Sequence, residues 1–508
     1  MALKNEDNAT HFEEALTAAG NGRYNIALVL TGALVLLAIG SDLFGFSLVV
    51  SAACDLELTI SQKGIMASLP FFGILLVSYV WGYISDTRGR RYTLVMSLPL
   101  GFLLSCLSSL SPNWIVMAIG KFLAVCFSCA PNSATYTLVG ESCSIHVRSR
   151  YMLLMTCMLL LSPAGAVLSA YPTLKLSFAT YIPILGITFT PWRLLLIILA
   201  LPSGILAVVI YFFHESPKFL INSGRKDECL EVLKSIYACN NRNSKEEYKV
   251  KSIRLEEDLC KGKQEMTFMR MLWEQCAPLF RPPLLKRTAQ LFYIVAVVYI
   301  TNNSFLVWLP HVMNLLKDTL SKDGDVSGNL CDLIAPKAAF NSTNTTVVSA
   351  NPICMISVTD NTLGTLLGSS VLFSFFNLVI SHLPNRRKTV LIGTLSISAV
   401  SAIGINLMPE PISSVFFFMM FTITCLGMGI LASYFVDLFP TSYRGMVACL
   451  SIMVGRTSTF FGINLVGNVL FKHCEATFYF WSILVFSNVV AAWYLPPDKP
   501  PEKESTKL

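Results

Sequence analysis

The chain has 508 residues, of which 54% are hydrophobic and only 14% charged, with a formal net charge of +7 and a mean hydropathy of +0.59. Soluble domains carry roughly 25% charged residues, so this composition excludes a water-soluble protein. The apolar excess is gathered in runs of about 20 residues, the length that a helix rising 1.5 Å per residue needs to cross a hydrocarbon core of about 30 Å.

Residues 1–24 are polar and lead into an over-long apolar run with no cleavage site, which predicts a cytoplasmic tail and no removable signal peptide. Six spans are expected at about 25–52, 64–84, 93–110, 114–139, 151–171 and 192–213, forming a first bundle over 25–213. A polar linker, 214–287, follows, with helical stretches at 227–238 and 246–260. Six more spans, at about 288–313, 362–383, 390–407, 414–438, 446–471 and 476–495, form a second bundle over 288–495. A long loop at 314–361 interrupts it, and the Pro- and charge-rich 496–508 reads as a disordered tail. The fold class is therefore all-α, a twelve-helix membrane protein in two six-helix bundles.

Lys and Arg favour the cytoplasmic side of short loops. Arg88, Arg90 and Arg91 follow the second span, Arg148 and Arg150 the fourth, Arg386, Arg387 and Lys388 the eighth, and Arg444 the tenth, all on one side. The linker, with about fifteen Lys and Arg, shares that side. Both termini are expected in the cytosol and the 314–361 loop outside it. The loop carries Asn341-Ser342-Thr343 and Asn344-Thr345-Thr346, glycosylation acceptors that are used only on the outer face. It also holds Cys331 and Cys354, which an oxidising compartment could join.

Six of the 15 cysteines, Cys106, Cys126, Cys129, Cys157, Cys425 and Cys449, fall inside spans, where Cys packs as a small hydrophobe. The six His lack ligand spacing, and no nucleotide-binding loop or Ser/His/Asp arrangement appears. No catalytic residue, metal or cofactor is expected. The positive charge suits an anionic inner leaflet rather than nucleic acid.

An internal repeat ties the two bundles together. The basic cluster after span two begins at Ile84 and its counterpart after span eight at Ile380, an offset of 296 (380 − 84). Glu141 precedes Arg148 by seven residues, and Asp437 precedes Arg444 by seven at the same offset. An acid and a base at matched spacing in one register point to six helices used twice around one pathway.

Gly82-Tyr83-Ile84-Ser85-Asp86-Thr87-Arg88-Gly89-Arg90-Arg91 resembles the G-x-x-x-D-x-x-G-R-R/K loop motif of the major facilitator superfamily. Asp437-Leu438-Phe439-Pro440-Thr441-Ser442-Tyr443-Arg444-Gly445, Trp192-Arg193 and Glu215-Ser216-Pro217-Lys218-Phe219-Leu220 resemble stretches of its sugar and organic-ion porter branches. Within that group the chain is most similar to the synaptic vesicle glycoprotein 2 family, through its charged first span, Val307-Trp308-Leu309-Pro310 and the Cys-containing loop after span seven. The resemblance implies that the loop motif, with Gly82, Asp86, Gly89, Arg90 and Arg91, acts as a gate, and that Asp86, Arg90, Glu141 and Arg148, with Arg386, Asp437 and Arg444 in the second half, form cytoplasmic ion pairs that lock an outward-facing state. It also implies that Asp86 faces the N-terminus of span eleven, near Met446, whose helix dipole favours negative charge. His382 replaces the motif acid in the second half, which weakens that lock. The plainer reading of these basic residues is that they set topology.

An ionisable group near the bilayer centre is costly unless paired or facing a cavity, so it marks a functional site. Three stand out: Asp42, Lys121 and Arg456. Asp42 and Lys121 each lie roughly 10 to 15 Å below the outer ends of their spans. An ion pair between them, rearranged by substrate, is the sharpest expectation; its alternative is a permanent structural pair. Arg456 has no repeat counterpart, because the matching position is Leu160. It is expected in a substrate or coupling site, or else against a carbonyl or acid that only holds span eleven.

Two function classes follow. One is a transporter of a small organic solute, organic ions included, working by alternating access with a coupling proton or ion, as a monomer in the plasma membrane or a vesicle membrane. The other is a transporter-shaped glycoprotein that acts as a receptor, sensor or vesicle-trafficking component.

Overall fold

The computed structural model describes residues 10–254, 277–320, 330–331, 360–381, 386–439 and 441–496. Twelve helices among them are long and apolar enough to cross a membrane. Spans 1 to 6 are Arg23–Ala52, Ile60–Arg88, Arg90–Ser109, Trp114–Ser142, Ile145–Leu174 and Pro191–Tyr211. Spans 7 to 12 are Leu285–Met313, Thr362–Ile380, Arg387–Leu407, Ser413–Leu431, Cys449–Val469 and Cys474–Trp493.

Local chemistry sets several ends. Thr59 and Gln62 form a reciprocal capping box at the start of span 2, Asn113 accepts the Val116 N–H at 2.9 Å to open span 4, and Pro191 starts span 6. The 296-residue repeat is visible in the helices themselves. The helix of span 4 ends at Ser142 and that of span 10 at Leu438 (438 − 142), and the helices of spans 5 and 11 begin at Ile145 and Thr441 (441 − 145).

Span 1 is wrapped by spans 4, 5 and 6, while spans 3 and 6, and 9 and 12, pair on the periphery. Span 12 turns Ile483, Phe486, Val490 and Trp493 outward, a helical spacing that suits a lipid-facing stripe. The halves join where span 2 packs on span 11 and span 5 on span 8. Packing inside the first half is close: a Cβ on Gly40 would lie 2.4 Å from Ser162 Oγ, so only glycine lets spans 1 and 5 approach this far. Ser41 Oγ then donates to the Ser162 carbonyl at 3.0 Å.

The segments outside the membrane differ from the sequence expectation in three places. The linker helix expected at 227–238 forms as Lys226–Asn241, but over 246–254 no α-helix forms, and a single 3-10 turn at Lys245–Glu247 gives way to extended chain. Tyr248 and Val250 bury their side chains two residues apart, the period of an extended chain, and Ile253–Arg254 pairs in parallel with Thr10–His11. Second, the expected N-terminal tail is docked from Thr10 onward. The helix Phe12–Ala18 buries Phe12, Ala15 and Leu16, Tyr248 Oη donates to the Ala15 carbonyl at 2.7 Å, and Asn240 Nδ2 donates to Gly20 O at 2.9 Å and Asn25 Oδ1 at 2.8 Å. These side chains share one apolar cluster with Leu28, Leu94 and Leu138 of the first half.

Third, Cys331 is bonded to Cys474 at the start of span 12, not to Cys354. The two lie 143 residues apart in sequence but 5.4 Å apart between Cα atoms, within disulfide reach. Proximity in the fold, not in the loop, selects the partner. Cys354, the acceptor asparagines Asn341 and Asn344, His382 and the 497–508 tail lie outside the described residues, as do the side chains of Asp437 and Arg444.

Candidate functional site

Between the halves lies a cavity of about 210 Å³, walled by spans 1, 2, 4, 5, 7, 8, 10 and 11. It is smaller than the roughly 300 to 1,000 Å³ typical of pockets for drug-sized ligands, which points to a small occupant. Asp42 and Arg456 both line it.

Asp42 and Lys121 meet as expected. Lys121 Nζ donates to Asp42 Oδ1 at 2.6 Å and to Ser105 Oγ on span 3 at 3.2 Å, and it sits 5.3 Å from the centroid of Phe46. The Lys121 side chain is 1% exposed and that of Asp42 8%, so the lysine is sealed behind the carboxylate that faces the cavity. A buried pair of this kind is held by mutual compensation, and removing one member strands the other charge.

Arg456 has no such compensation. It is half-buried in the opposite wall, with its guanidinium 5.6 Å from the Phe71 ring centroid and 5.9 Å from that of Tyr299. Its Nε has no hydrogen-bond partner, and among the described residues no carboxylate pairs with it. The reading in which an acid or carbonyl merely holds span 11 in place finds no partner there. Asn132 Oδ1, on span 4 in the facing half, is a second buried polar atom of a cavity-lining residue without a partner.

The loop-motif residues assemble around Arg90. Its guanidinium lies 3.1 Å from Asp86 Oδ1, donates to the Ser85 carbonyl at 3.0 Å, and bonds Glu141 Oε1 from Nη2 at 3.2 Å; its Nε is 3.0 Å from Glu141 Oε2, but off the hydrogen-bond line. Glu215, from the segment after span 6, accepts the N–H groups of Arg90 at 2.8 Å and Arg91 at 2.9 Å and so caps span 3. Arg91 also donates to the Tyr211 carbonyl. Arg148 donates to Glu13 at 3.0 Å and to the Cys143 carbonyl at 3.1 Å. All these pairs lie within the first half and its docked segments. Asp86 is 74% exposed and pairs with Arg90; the side chains of 441–445, at the end of span 11 where its seat is expected, lie outside the described residues. Arg386 is exposed at the start of span 9.

At the end of the molecule that carries the basic clusters, a Cβ on Gly82 of span 2 would meet nothing within 4 Å, and Cys449 of span 11 is exposed. At the opposite end the halves touch. Asn464 Nδ2 of span 11 donates to Ser68 Oγ of span 2 at 2.8 Å, and the rings of Phe72 and Phe460 meet at a tilt of 37° with centroids 5.3 Å apart. There too Arg193 reaches Asp55 at 3.3 Å and the carbonyls of Ser109 and Ser111, and Trp192 Nε1 donates to Asp55 at 2.7 Å.

Sequence reasoning missed Glu13, Ser105, Phe46 and Asp55. Nothing in the residue pattern marks Glu13, whereas Glu215 stood inside a motif that the sequence already displayed.

Comparison with known proteins agrees with this geometry. The chain is 29% identical over 238 residues to organic cation/carnitine transporter 7 of Arabidopsis thaliana, covering 46% of this chain and 45% of that protein. It is 27% identical over 251 residues to human synaptic vesicle glycoprotein 2B, covering 47% of this chain and 35% of that protein. These matches thus span less than half the length of either relative. The partially occluded inward-open structure of the xylose transporter XylE from E. coli superimposes with a TM-score of 0.65 at 12% identity, covering 93% of this chain and all of that one, a likeness of fold. The family profile described as Major Facilitator Superfamily matches residues 30–324, more than half of the sequence, and the chain belongs to that superfamily.

Proposed function

We propose that this protein carries a small organic solute across a membrane by alternating access, with the Asp42 and Lys121 pair as the element that responds to substrate or to a coupling proton. The observation that carries the reading is a sealed ion pair whose carboxylate opens onto a cavity walled by eight spans, four from each half. Charges are kept at such depth where they act on a pathway. Fold-level likeness to a xylose transporter and sequence likeness to a protein named for organic cation and carnitine transport support transport as the class. With the basic clusters on the cytoplasmic side, contact between the halves at the Ser68 and Asn464 end, with open space at Gly82 and an exposed Cys449 at the other, supports an inward-facing reading. In the outward-facing state the cytoplasmic end closes and brings the motif residues of both halves together.

The test is uptake of a metabolite mixture into proteoliposomes, with and without an imposed proton gradient. Wild-type protein should accumulate at least one solute, and Asp42→Asn should lose that accumulation or its dependence on the gradient. Unchanged, gradient-sensitive uptake by Asp42→Asn would remove the pair from the mechanism.

A further inference from the structure

We infer that the solute is an organic anion and that its acidic group, a carboxylate or its equivalent, seats on Arg456. The inference rests on reading the cavity as the solute site. It starts from the charge inventory of the membrane interior. Asp42 is the one Asp or Glu in the body of the twelve spans; Asp86, Glu141 and Glu475 sit in terminal turns. Lys121 neutralises Asp42 at 2.6 Å, so the pair contributes no net charge to the cavity. Arg456 then leaves the wall with one uncompensated positive charge among the described residues. A guanidinium does not shed its proton at any accessible pH, so this charge cannot be switched off as a lysine or histidine could be. The rings of Phe71 and Tyr299 lend it partial compensation from their faces, but they accept none of its N–H groups in a directed bond.

A cationic solute would have to displace Lys121 from Asp42 and approach Arg456 in the same small space. An anionic one supplies what Arg456 lacks, and the planar fork of a guanidinium matches a carboxylate in two parallel hydrogen bonds. The cavity thus selects against organic cations, the charge class for which the plant relative, organic cation/carnitine transporter 7, is named.

The experiment measures melting of the purified full-length protein in detergent with three equimolar pools. One holds acetate, lactate, succinate, citrate and benzoate; the second holds choline, putrescine and benzylamine; the third holds xylose, inositol and benzyl alcohol. The carboxylate pool should raise the melting temperature of wild type by about 2 °C or more, leave Arg456→Gln unmoved, and act on Arg456→Lys with an affinity about tenfold weaker. The inference is overturned if no pool shifts the wild type, if only the cationic or neutral pool does, or if the carboxylate shift survives in Arg456→Gln. Should Arg456→Gln fail to fold, unchanged carboxylate affinity in Arg456→Lys overturns it equally. Uptake of the same pools into proteoliposomes separates this inference from the transport reading. Carboxylate binding without accumulation keeps the anion site and removes transport, whereas accumulation confined to cations or neutral solutes keeps transport and removes the anion site.

Discussion

Glu215 occupies the space that a side chain at Gly89 would need: a Cβ there would lie 2.3 Å from Glu215 Oε2. Gly89 also has φ of 110°, a conformation that favours glycine, and its missing side chain lets the carboxylate reach the first N–H groups of span 3, where the helix dipole favours an anion. Gly89→Ala should therefore destabilise the protein by about 2 kcal/mol, through backbone strain and displacement of the cap. Glu215→Gln keeps the shape but loses the charge, and should cost about 1 kcal/mol. Melting of both variants in detergent checks the order; a larger loss in Glu215→Gln than in Gly89→Ala would contradict the steric account.

For the buried pair, either Asp42→Asn or Lys121→Met alone strands a charge and should cost about 3 to 5 kcal/mol. The double variant removes both charges and should regain most of that stability while leaving uptake as low as in the single variants. A double variant that also regains uptake would mean that the pair is only structural.

Peptide mapping under non-reducing conditions should recover Cys331 linked to Cys474. Cys474→Ser should expose a thiol at Cys331 that alkylates in the folded protein, whereas Cys354→Ser should leave Cys331 unreactive. Alkylation of Cys331 in Cys354→Ser would assign the bond to the other partner.

His214 lies just beyond span 6, stacked on Tyr24 at 5.9 Å between ring centroids. Burial, with smaller contributions from Lys245 and Arg91, pushes its pKa below the ordinary histidine value. The unfolded chain therefore binds a proton near pH 6.5 that the folded protein resists, so stability is full above that pH and is lost as pH falls through it. The loss should be shallower than the roughly 1.4 kcal/mol per pH unit of a fully buried group, because His214 is half-buried. Melting curves from pH 7.5 to 5 should slope less in His214→Gln than in wild type; an equal slope would clear His214 of this role.

The fold was legible because lipid leaves few options: apolar runs of fixed length, a charge bias between loops and an offset of 296 residues suffice to define twelve helices in two halves. Asp42, Lys121 and Arg456 were legible for the same reason, since any charge at that depth stands out. The partners that sit outside the membrane were not. Glu13 is one acid in a polar stretch, and its bond to Arg148 depends on a docked helix that no local pattern announces. Cys474 opens span 12 as an ordinary cysteine of an apolar run, so its pairing with Cys331 follows only from the assembled fold. Over 246–254, the described part of the helix expected at 246–260, Tyr248 and Val250 found buried places on an extended chain, tertiary burial outweighing local propensity.

The apolar cluster that joins Phe12, Leu16, Leu233, Ile236 and Tyr248 to the first half has a mechanical consequence. In the alternating-access cycle proposed above, the two rocking bodies are unequal, because the N-terminal helix and the linker helix pack on the first half and ride on it as cargo. A protein or modification that grips those helices travels with that half. To change the rate of the cycle it must also touch the second half, or pry the cargo loose.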